Sequence, residues 1–322
     1  MHPPYRSVLR GAALDNSRCI LYAAAMTTAD PVRRRAMACG LAAICLWGSL
    51  AALSVLAGSI PPFQMVAMTF AVGASLGIVR ARRRSVGWGE LVRWPARVWL
   101  VGIGGLFGYH ALYFGALQLA PPAEANLVNY LWPLLIVLLS APFAAANERG
   151  RLGWTHLAGA GLGFAGVAML AFGRGLGFSA DHALGYALAL GCAVTWALYS
   201  VLSRRFGETP TDAIAAFCAA SALLSLLCHL AFERTVWPAS TSAWLAVLAL
   251  GIGPAGGAFY LWDHAVKRGD IRALGALSYA TPILSTALLI ACGLAEPTST
   301  LLLSAVLVTS GAVLASHELW RK

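Results

Sequence analysis

Aromatic side chains with hydrogen-bonding groups lie in the middle of several long apolar stretches of the sequence. Trp47, Trp132 and Trp196 carry indole N–H donors there, and nearby tyrosines carry hydroxyl groups. Hydrocarbon offers such groups no partner, so each must find one inside the protein or on a bound solute. We predict that these side chains wall a central cavity; hydrogen bonds between packed helices are the alternative. The other aromatic members of the predicted wall are Tyr109, Tyr113, Tyr130, Tyr279 and Trp262.

His110 is the ionisable side chain that we predict to lie near the centre of an apolar stretch. Ionisable groups at this depth are functional candidates, because a charge in hydrocarbon is costly. His110 could bind a carboxylate or couple to protons, or it could be a neutral histidine hydrogen-bonded to a neighbouring helix. The sequence leaves these alternatives open.

Two proline motifs mark the predicted centre of the site, Asn-Tyr-Leu-Trp-Pro at 129–133 and Ser-Tyr-Ala-Thr-Pro at 278–282. A proline inside a helix cannot donate to the carbonyl four residues earlier. We therefore expect free carbonyls at Asn129 and Ser278, where they would face the cavity. Pro133 and Pro282 would act as hinges, because the missing hydrogen bond lets each helix bend.

Composition places the chain in a membrane. Apolar residues make up 59% of it and charged residues only 11%, whereas soluble proteins carry about 45–50% and about 25%. Apolar runs of roughly twenty residues recur, and each is long enough to cross about 30 Å of hydrocarbon. We predict an all-α polytopic membrane protein with ten spans. The spans run approximately over 36–56, 62–79, 98–119, 122–144, 153–171, 181–203, 212–232, 242–265, 270–292 and 298–316.

An internal repeat relates the two halves of the chain. A constant shift of 149 residues pairs Trp47 with Trp196, Tyr113 with Trp262, and Pro133 with Pro282. Each half holds five spans, an odd number, so the halves cross the membrane in opposite directions. Inverted repeats of this kind build transporters that bind their substrate near the midplane. We predict five-helix repeats at 36–171 and 181–316, around a central cavity.

Basic residues are distributed unevenly between the predicted loops. If the N-terminus is cytoplasmic, 21 of the 23 Lys and Arg residues lie on the cytoplasmic side, as the positive-inside rule requires. Both termini are therefore predicted to be cytoplasmic, including residues 317–322. We expect residues 1–35 to be a disordered tail, or to include an extension upstream of a start at Met26.

The net charge of +10 is explained by these loops, so we predict no nucleic-acid partner. The seven cysteines include no Cys-x-x-Cys pair, and we expect no disulfide framework, metal or other cofactor. Phosphate-binding loops and His-Glu-x-x-His pairs are also absent from the sequence. These absences disfavour an enzyme.

The repeat pattern resembles that of the EamA-type members of the drug/metabolite transporter superfamily. The resemblance rests on the two proline motifs and on the repeat ends, Asn-Glu-Arg-Gly-Arg-Leu at 147–152 and Ala-Glu-Pro-Thr at 295–298. Within the superfamily, the proline motifs are similar to those of bacterial exporters of aromatic amino acids. The resemblance implies a basket-shaped bundle in the inner membrane that exports amino acids to the periplasm.

We therefore expect a secondary transporter that exports aromatic and other neutral amino acids by alternating access. The expected partners are the amino acid substrate and membrane lipids, and we expect a monomer. An exporter of drugs or other metabolites is the alternative within the transporter class. An integral-membrane enzyme that modifies lipids is the alternative from another class, and it would need acid–base residues beyond His110.

Overall fold

The computed structural model describes residues 31–143, 153–172, 178–293 and 296–320. These residues form helices joined by short loops, and the four ranges contain no strand. The all-α prediction is confirmed for them. The predicted tail at 1–35 falls almost wholly outside the described residues, as do the last two residues of the segment 317–322.

The helices are numbered in chain order. Those of the first half are α1 Pro31–Gly48, α2 Leu50–Ala57, α3 Pro62–Arg83, α4 Trp88–Val92, α5 Ala96–Ile103, α6 Tyr109–Leu119, α7 Pro122–Asn129, α8 Trp132–Leu139 and α9 Trp154–Phe172. Those of the second half are α10 Ala183–Arg205, α11 Ile214–Phe232, α12 Thr241–Ile252, α13 Gly257–Arg268, α14 Ile271–Leu277, α15 Ala280–Ala291 and α16 Ser299–Trp320.

Within the described residues, eight helical segments are long and apolar enough to cross a membrane by length and composition. They cover Pro31–Ala57, Pro62–Arg83, Ala96–Leu119, Pro122–Leu139, Ala180–Arg205, Thr211–Phe232, Thr241–Arg268 and Ile271–Ala291. Each coincides with a predicted span. The helices α9 and α16 coincide with the two remaining predicted spans.

Prolines and small polar residues begin several of these helices. Pro62 and Pro122 are the first residues of α3 and α7, where a missing N–H costs no helical hydrogen bond. The Asp270 carboxylate caps α14 by accepting from the backbone N–H groups of Arg272 and Ala273, at 3.1 and 3.2 Å. Such caps satisfy donors that hydrocarbon could not.

Several predicted spans are interrupted near their centres. A π-helical turn at Gly104–Gly108 joins α5 to α6, and a turn at 253–256 separates α12 from α13. The fourth helix of each half is also broken, between α7 and α8 and between α14 and α15. Breaks at this depth leave backbone groups that only protein or a cavity can satisfy.

One expectation about these breaks is wrong. The carbonyl of Ser278 is not free, because it accepts from the backbone N–H of Thr281 at 3.0 Å. The helix tightens at the break, so a donor three residues later replaces the one that Pro282 lacks. Pro282 therefore leaves no exposed acceptor at this position.

The helices α3 and α11, from different halves of the chain, are tied together where α3 begins. The Glu233 carboxylate accepts from the backbone N–H groups of Phe63 and Gln64, at 2.9 and 3.1 Å. The Gln64 side chain then exchanges two hydrogen bonds of 2.9 Å with the backbone of Val236. This carboxylate caps the N-terminus of α3 where the helix dipole favours negative charge.

Ion pairs hold the other end of the same two helices. Arg80 of α3 and Arg84, directly after it, pair with Asp212, which precedes α11, at 3.3 and 3.1 Å. At this end Arg33 of α1 also pairs with Asp270 at 2.7 Å. We call this the basic end of the bundle, and the end that holds Glu233 the opposite end.

Burial differs between the two ends. Five of the seven residues of α14, which begins at the basic end, are buried. In its continuation α15, which runs to the opposite end, Pro282 is the one buried residue. This broken helix is thus buried in the bundle at the basic end and exposed on its surface towards the opposite end.

A glycine contact joins the last helices of the two halves. A β-carbon built on Gly159 of α9 would lie 2.5 Å from the carbonyl oxygen of Gly311 in α16. The two backbones can approach this closely because neither residue carries a side chain. Gly161, two residues further along α9, has no atom within 4 Å of its hypothetical β-carbon.

We therefore predict that Gly159→Ala lowers the free energy of unfolding by about 1–3 kcal/mol, because the methyl group forces α9 and α16 apart. Thermal unfolding of the purified protein in detergent measures the change. Gly161→Ala is the matched control, and its better helix propensity should leave stability unchanged or raise it by up to about 1 kcal/mol. Equal destabilisation by both variants would contradict the contact.

Candidate functional site

Four tryptophans from four helices meet in the centre of the bundle. Trp47 of α1, Trp132 of α8, Trp196 of α10 and Trp262 of α13 contact one another in every pairing, with ring centroids 5.1–6.3 Å apart. Most pairs are edge-to-face, the arrangement that the charge distribution of aromatic rings favours. We call this group the tryptophan cluster. It joins helices from both halves of the chain.

Two of these indoles donate hydrogen bonds to other segments of the protein. Trp47 Nε1 donates to the carbonyl of Pro254, in the turn between α12 and α13, at 3.1 Å. Trp262 Nε1 donates to the hydroxyl of Ser200 at 3.0 Å, and both residues are fully buried. The predicted alternative, hydrogen bonding between packed helices, therefore holds for Trp47 and Trp262.

Two tyrosine–asparagine pairs lie beside the tryptophan cluster. The Tyr113 hydroxyl donates to Asn126 Oδ1 at 2.5 Å, and Asn129 Nδ2 donates to the Tyr109 hydroxyl at 3.1 Å. The two tyrosine rings are nearly parallel, 6.1 Å apart at 12°, because they are four residues apart on α6. Tyr109 also contacts Trp196, at 5.6 Å between ring centroids. The pairs connect α6 to α7 and place polar groups next to the aromatic centre.

Asn129 is not fully satisfied by its pair. The residue is 5% exposed, and its Oδ1 atom has no hydrogen-bond partner among the described residues. A buried acceptor without a partner costs about 1–3 kcal/mol. Such atoms occur where a site is completed by something other than the protein's own groups.

His110 makes its hydrogen bond within its own span. Its Nδ1 lies 2.6 Å from the carbonyl oxygen of Leu106, in the π-helical turn. Because a carbonyl can only accept, Nδ1 carries the proton in this arrangement. The ring contacts Phe70 and Phe114, at centroid distances of 5.2 and 6.0 Å. The predicted hydrogen bond therefore exists, but its partner is on the same span and not on a neighbouring helix.

Three of the predicted wall residues lie apart from the tryptophan cluster. Tyr279 is fully buried in a second apolar cluster with Val137, Ala160 and Val308, and Tyr130 packs against that cluster. The Ser278 hydroxyl donates to the carbonyl of Leu274 in its own helix at 2.7 Å. The two proline hinges, Pro133 and Pro282, are both buried beside the helix breaks.

The predicted central cavity has a different form in the structure. Rings 5.1–6.3 Å apart leave no space between them for a solute, so the tryptophan cluster fills the centre instead of lining a void. Tyr109, His110 and Tyr113 are half-buried. Towards the opposite end, Phe63 contacts Phe114 at 5.4 Å. The half-buried side chains of the site therefore lie on α6, which runs from the tryptophan cluster towards the opposite end; we call this the accessible side of the cluster.

A separate cavity of ≈ 320 Å³ lies at the basic end. Its lining includes the Arg33–Asp270 ion pair together with Phe143 and Val201. This cavity is lined by residues at the basic end, and none of the four tryptophans is among them.

Some residues of the site were not predicted. Phe259 contacts Trp47 and Trp196, at 6.4 and 5.7 Å, and Phe70 contacts Phe259 at 5.5 Å. Nothing distinguishes these phenylalanines in sequence from those that face lipid. Asn126 could have been selected, because it shares a helical face with Tyr130 and Pro133.

The site is suited to binding and not to covalent chemistry. Aromatic faces attract apolar rings and cations, and the tyrosine–asparagine pairs offer donors and acceptors. Among the residues that the structure describes, no three His, Cys, Asp or Glu side chains are grouped to hold a metal ion. A multi-pass helical membrane protein with such a centre is a carrier of small molecules.

Comparison with known proteins identifies the family. Residues 34–172 and 183–317 each match the EamA-like transporter family. The chain belongs to this family, which confirms the resemblance noted in the sequence. It is a transporter with a small-molecule substrate, and not an enzyme.

Two relatives and one solved structure are similar to this chain. The aromatic amino acid exporter YddG of Ancylobacter novellus is 51% identical over 286 residues, covering 88% of this chain and 98% of that protein. The aromatic amino acid exporter YddG of Salmonella typhimurium is 26% identical over 271 residues, covering 79% and 87%. A crystal structure with 51% identity matches with a TM-score of 0.84, covering 89% of this chain and 98% of that one.

We predict that Ser200→Ala lowers the free energy of unfolding by about 1–3 kcal/mol, because it leaves the buried Trp262 N–H without an acceptor. Unfolding in detergent, followed by tryptophan fluorescence, measures this change. Ser75→Ala is the control: its exposed hydroxyl bonds only the Ala71 carbonyl of its own helix, and its loss should change stability by less than about 0.5 kcal/mol. Equal effects of both variants would show that the Trp262–Ser200 bond contributes nothing.

Proposed function

We propose that this transporter exports aromatic and other neutral amino acids across the bacterial inner membrane by alternating access. The observation that carries the proposal is the tryptophan cluster flanked by the tyrosine–asparagine pairs. Such a centre offers stacking for an aromatic ring and hydrogen bonds for a zwitterionic backbone. Two relatives, 51% and 26% identical to this chain, are named as aromatic amino acid exporters, and this supports the same substrate class.

The binding surface that we propose is the accessible side of the tryptophan cluster. Trp47, Trp132 and Trp196 form its floor, with the fully buried Trp262 beneath them, and the half-buried side chains of α6 form its wall. The wall residues are Tyr109, His110 and Tyr113, with Asn129 at the junction of floor and wall. Tyr130, Ser278 and Tyr279 take a supporting role in this proposal, because they lie outside the cluster.

The fold that we propose has ten membrane spans in two inverted repeats, 36–171 and 181–316. The support is the family match, which falls on two ranges of similar length. A shift of 149 residues also carries the helix break at Gly104–Gly108 onto the one that precedes α13. Both halves therefore interrupt their third and fourth helices at equivalent positions.

Alternating access follows from this arrangement. Tyr186 of α10 donates a hydrogen bond to Glu124 of α7 near the opposite end. The same shift carries this pair onto Met37 and Ala273, which flank the Arg33–Asp270 ion pair at the basic end. Each end of the bundle thus has an equivalent contact between the first helix of one half and the fourth helix of the other half. We call these two contacts the corners. In the conformation described, contacts close both corners, and alternating access requires them to open in turn.

We infer that the basic end is cytoplasmic. The support is the excess of Lys and Arg in the loops of that end, as the positive-inside rule requires. We propose that this end opens when the half-buried Arg33–Asp270 pair separates, and that the transporter works as a monomer.

The first test is flux. Purified protein in liposomes should take up labelled phenylalanine and tryptophan, and uptake should saturate. Trp196→Ala should reduce the rate at least about tenfold, because an aromatic face contributes about 1 kcal/mol or more to binding and also closes the centre. Uptake no greater than that of empty liposomes, for every amino acid tried, would refute the substrate class.

The second test is orientation. In a variant without native cysteines, Ala239→Cys places a thiol in the exposed loop before α12, and Ser85→Cys places one in the exposed loop after α3. In intact cells an impermeant maleimide should label the first variant and not the second. After permeabilisation both should react. Labelling of Ser85→Cys in intact cells would reverse the proposed direction.

A further inference from the structure

We propose that Asn129 recognises the ammonium group of the substrate, and that the site therefore also binds aromatic primary amines that lack a carboxylate. The inference rests on the proposed function for the position of the binding surface. It goes beyond that function by adding a class of ligand, arylalkylamines such as phenethylamine.

Asn129 is a polar residue beside the tryptophan cluster whose hydrogen-bonding capacity is incomplete among the described residues. Trp47, Trp262 and His110 each donate to an acceptor within the protein. Asn126 Oδ1 accepts from Tyr113. Asn129 donates through Nδ2 to Tyr109, yet its Oδ1 atom is buried and has no partner among the described residues. An acceptor in this state is matched by a ligand that brings a strong donor.

The surroundings of Asn129 favour a cationic donor. Its partner Tyr109 contacts Trp196 and His110, at ring centroid distances of 5.6 and 5.3 Å. An ammonium group near the face of a tryptophan or tyrosine is attracted by the negative charge on that face. A hydrogen bond from an ammonium is also stronger than one from a neutral donor.

The carboxylate of an amino acid has no comparable partner. The Lys and Arg residues within the described ranges lie near helix ends, as at Arg33, Arg84 and Arg234, and not beside the tryptophan cluster. A ligand can therefore lose its carboxylate and keep both the aromatic stacking and the ammonium contact. A ligand that keeps the carboxylate but loses the ammonium gives up the contact with Asn129.

Binding to the full-length protein in lipid nanodiscs tests the inference, with titration calorimetry as the readout. Phenylalanine, phenethylamine and 3-phenylpropionate share one ring and differ only in the two charged groups. Phenethylamine should bind within about tenfold of phenylalanine, and 3-phenylpropionate at least about tenfold more weakly than phenethylamine. Equal or tighter binding of 3-phenylpropionate would overturn the proposal, and so would the absence of phenethylamine binding.

Two variants separate recognition from a structural effect. Asn129→Asp keeps the shape of the side chain and adds a negative charge, so it should shift the ratio of affinities towards phenethylamine by about tenfold. Asn126→Asp is the matched control, and it should not shift that ratio, because Tyr113 already donates to this side chain. An Asn129→Asp ratio unchanged from that of the unmodified protein would overturn the proposal, and damage to folding alone would weaken both ligands equally.

Failure of this inference can be distinguished from failure of the proposed function. If phenylalanine binds and is transported but phenethylamine does not bind, only the role of Asn129 is wrong. If phenethylamine binds as expected but no amino acid is transported, the proposed export activity is wrong while Asn129 keeps its role.

Discussion

Hydrocarbon provides no hydrogen-bond partners, and this constraint determines most of the structure. Each interruption of a helix near mid-depth frees backbone groups that the protein itself must satisfy. Trp47 donates a hydrogen bond to the carbonyl of Pro254, and His110 donates one to the carbonyl of Leu106. The aromatic residues are therefore part of the reason that broken helices persist at the centre, as well as a surface for a solute. Under the proposed function, this centre is both a binding site and a structural joint.

The sequence predicted the class of fold and most of the central residues, because both depend on patterns along the chain. Apolar runs of about twenty residues indicate spans whatever their contacts, and midplane aromatics such as Trp47, Trp132 and Trp196 stand out against lipid-facing residues. The contacts between them could not be predicted. Trp262 bonds to Ser200, 62 residues away in the chain, and no local signal marks the serine.

The proline motifs illustrate a subtler failure. A missing N–H at Pro282 predicts an orphan carbonyl only if the helix stays regular, and it does not. The backbone tightens at 278–279, and Thr281 satisfies the Ser278 carbonyl. Tyr279 and its repeat partner Tyr130 also differ in burial. Tyr279 is fully buried in the second apolar cluster, whereas Tyr130 is half-buried. Sequence symmetry between the halves therefore predicts where helices break better than it predicts which way each side chain points.

The tie between α3 and α11 has a consequence for how the protein is made. The cap on the first turn of α3 is Glu233, a residue that the ribosome adds 170 positions after Phe63. Until the chain has been synthesised past α11, the leading N–H groups of α3 have no such acceptor. The first half thus enters the membrane with an unfinished helix end, and the second half completes it. Co-translational insertion of this protein is therefore a single assembly of two halves, in which neither half reaches its final structure alone.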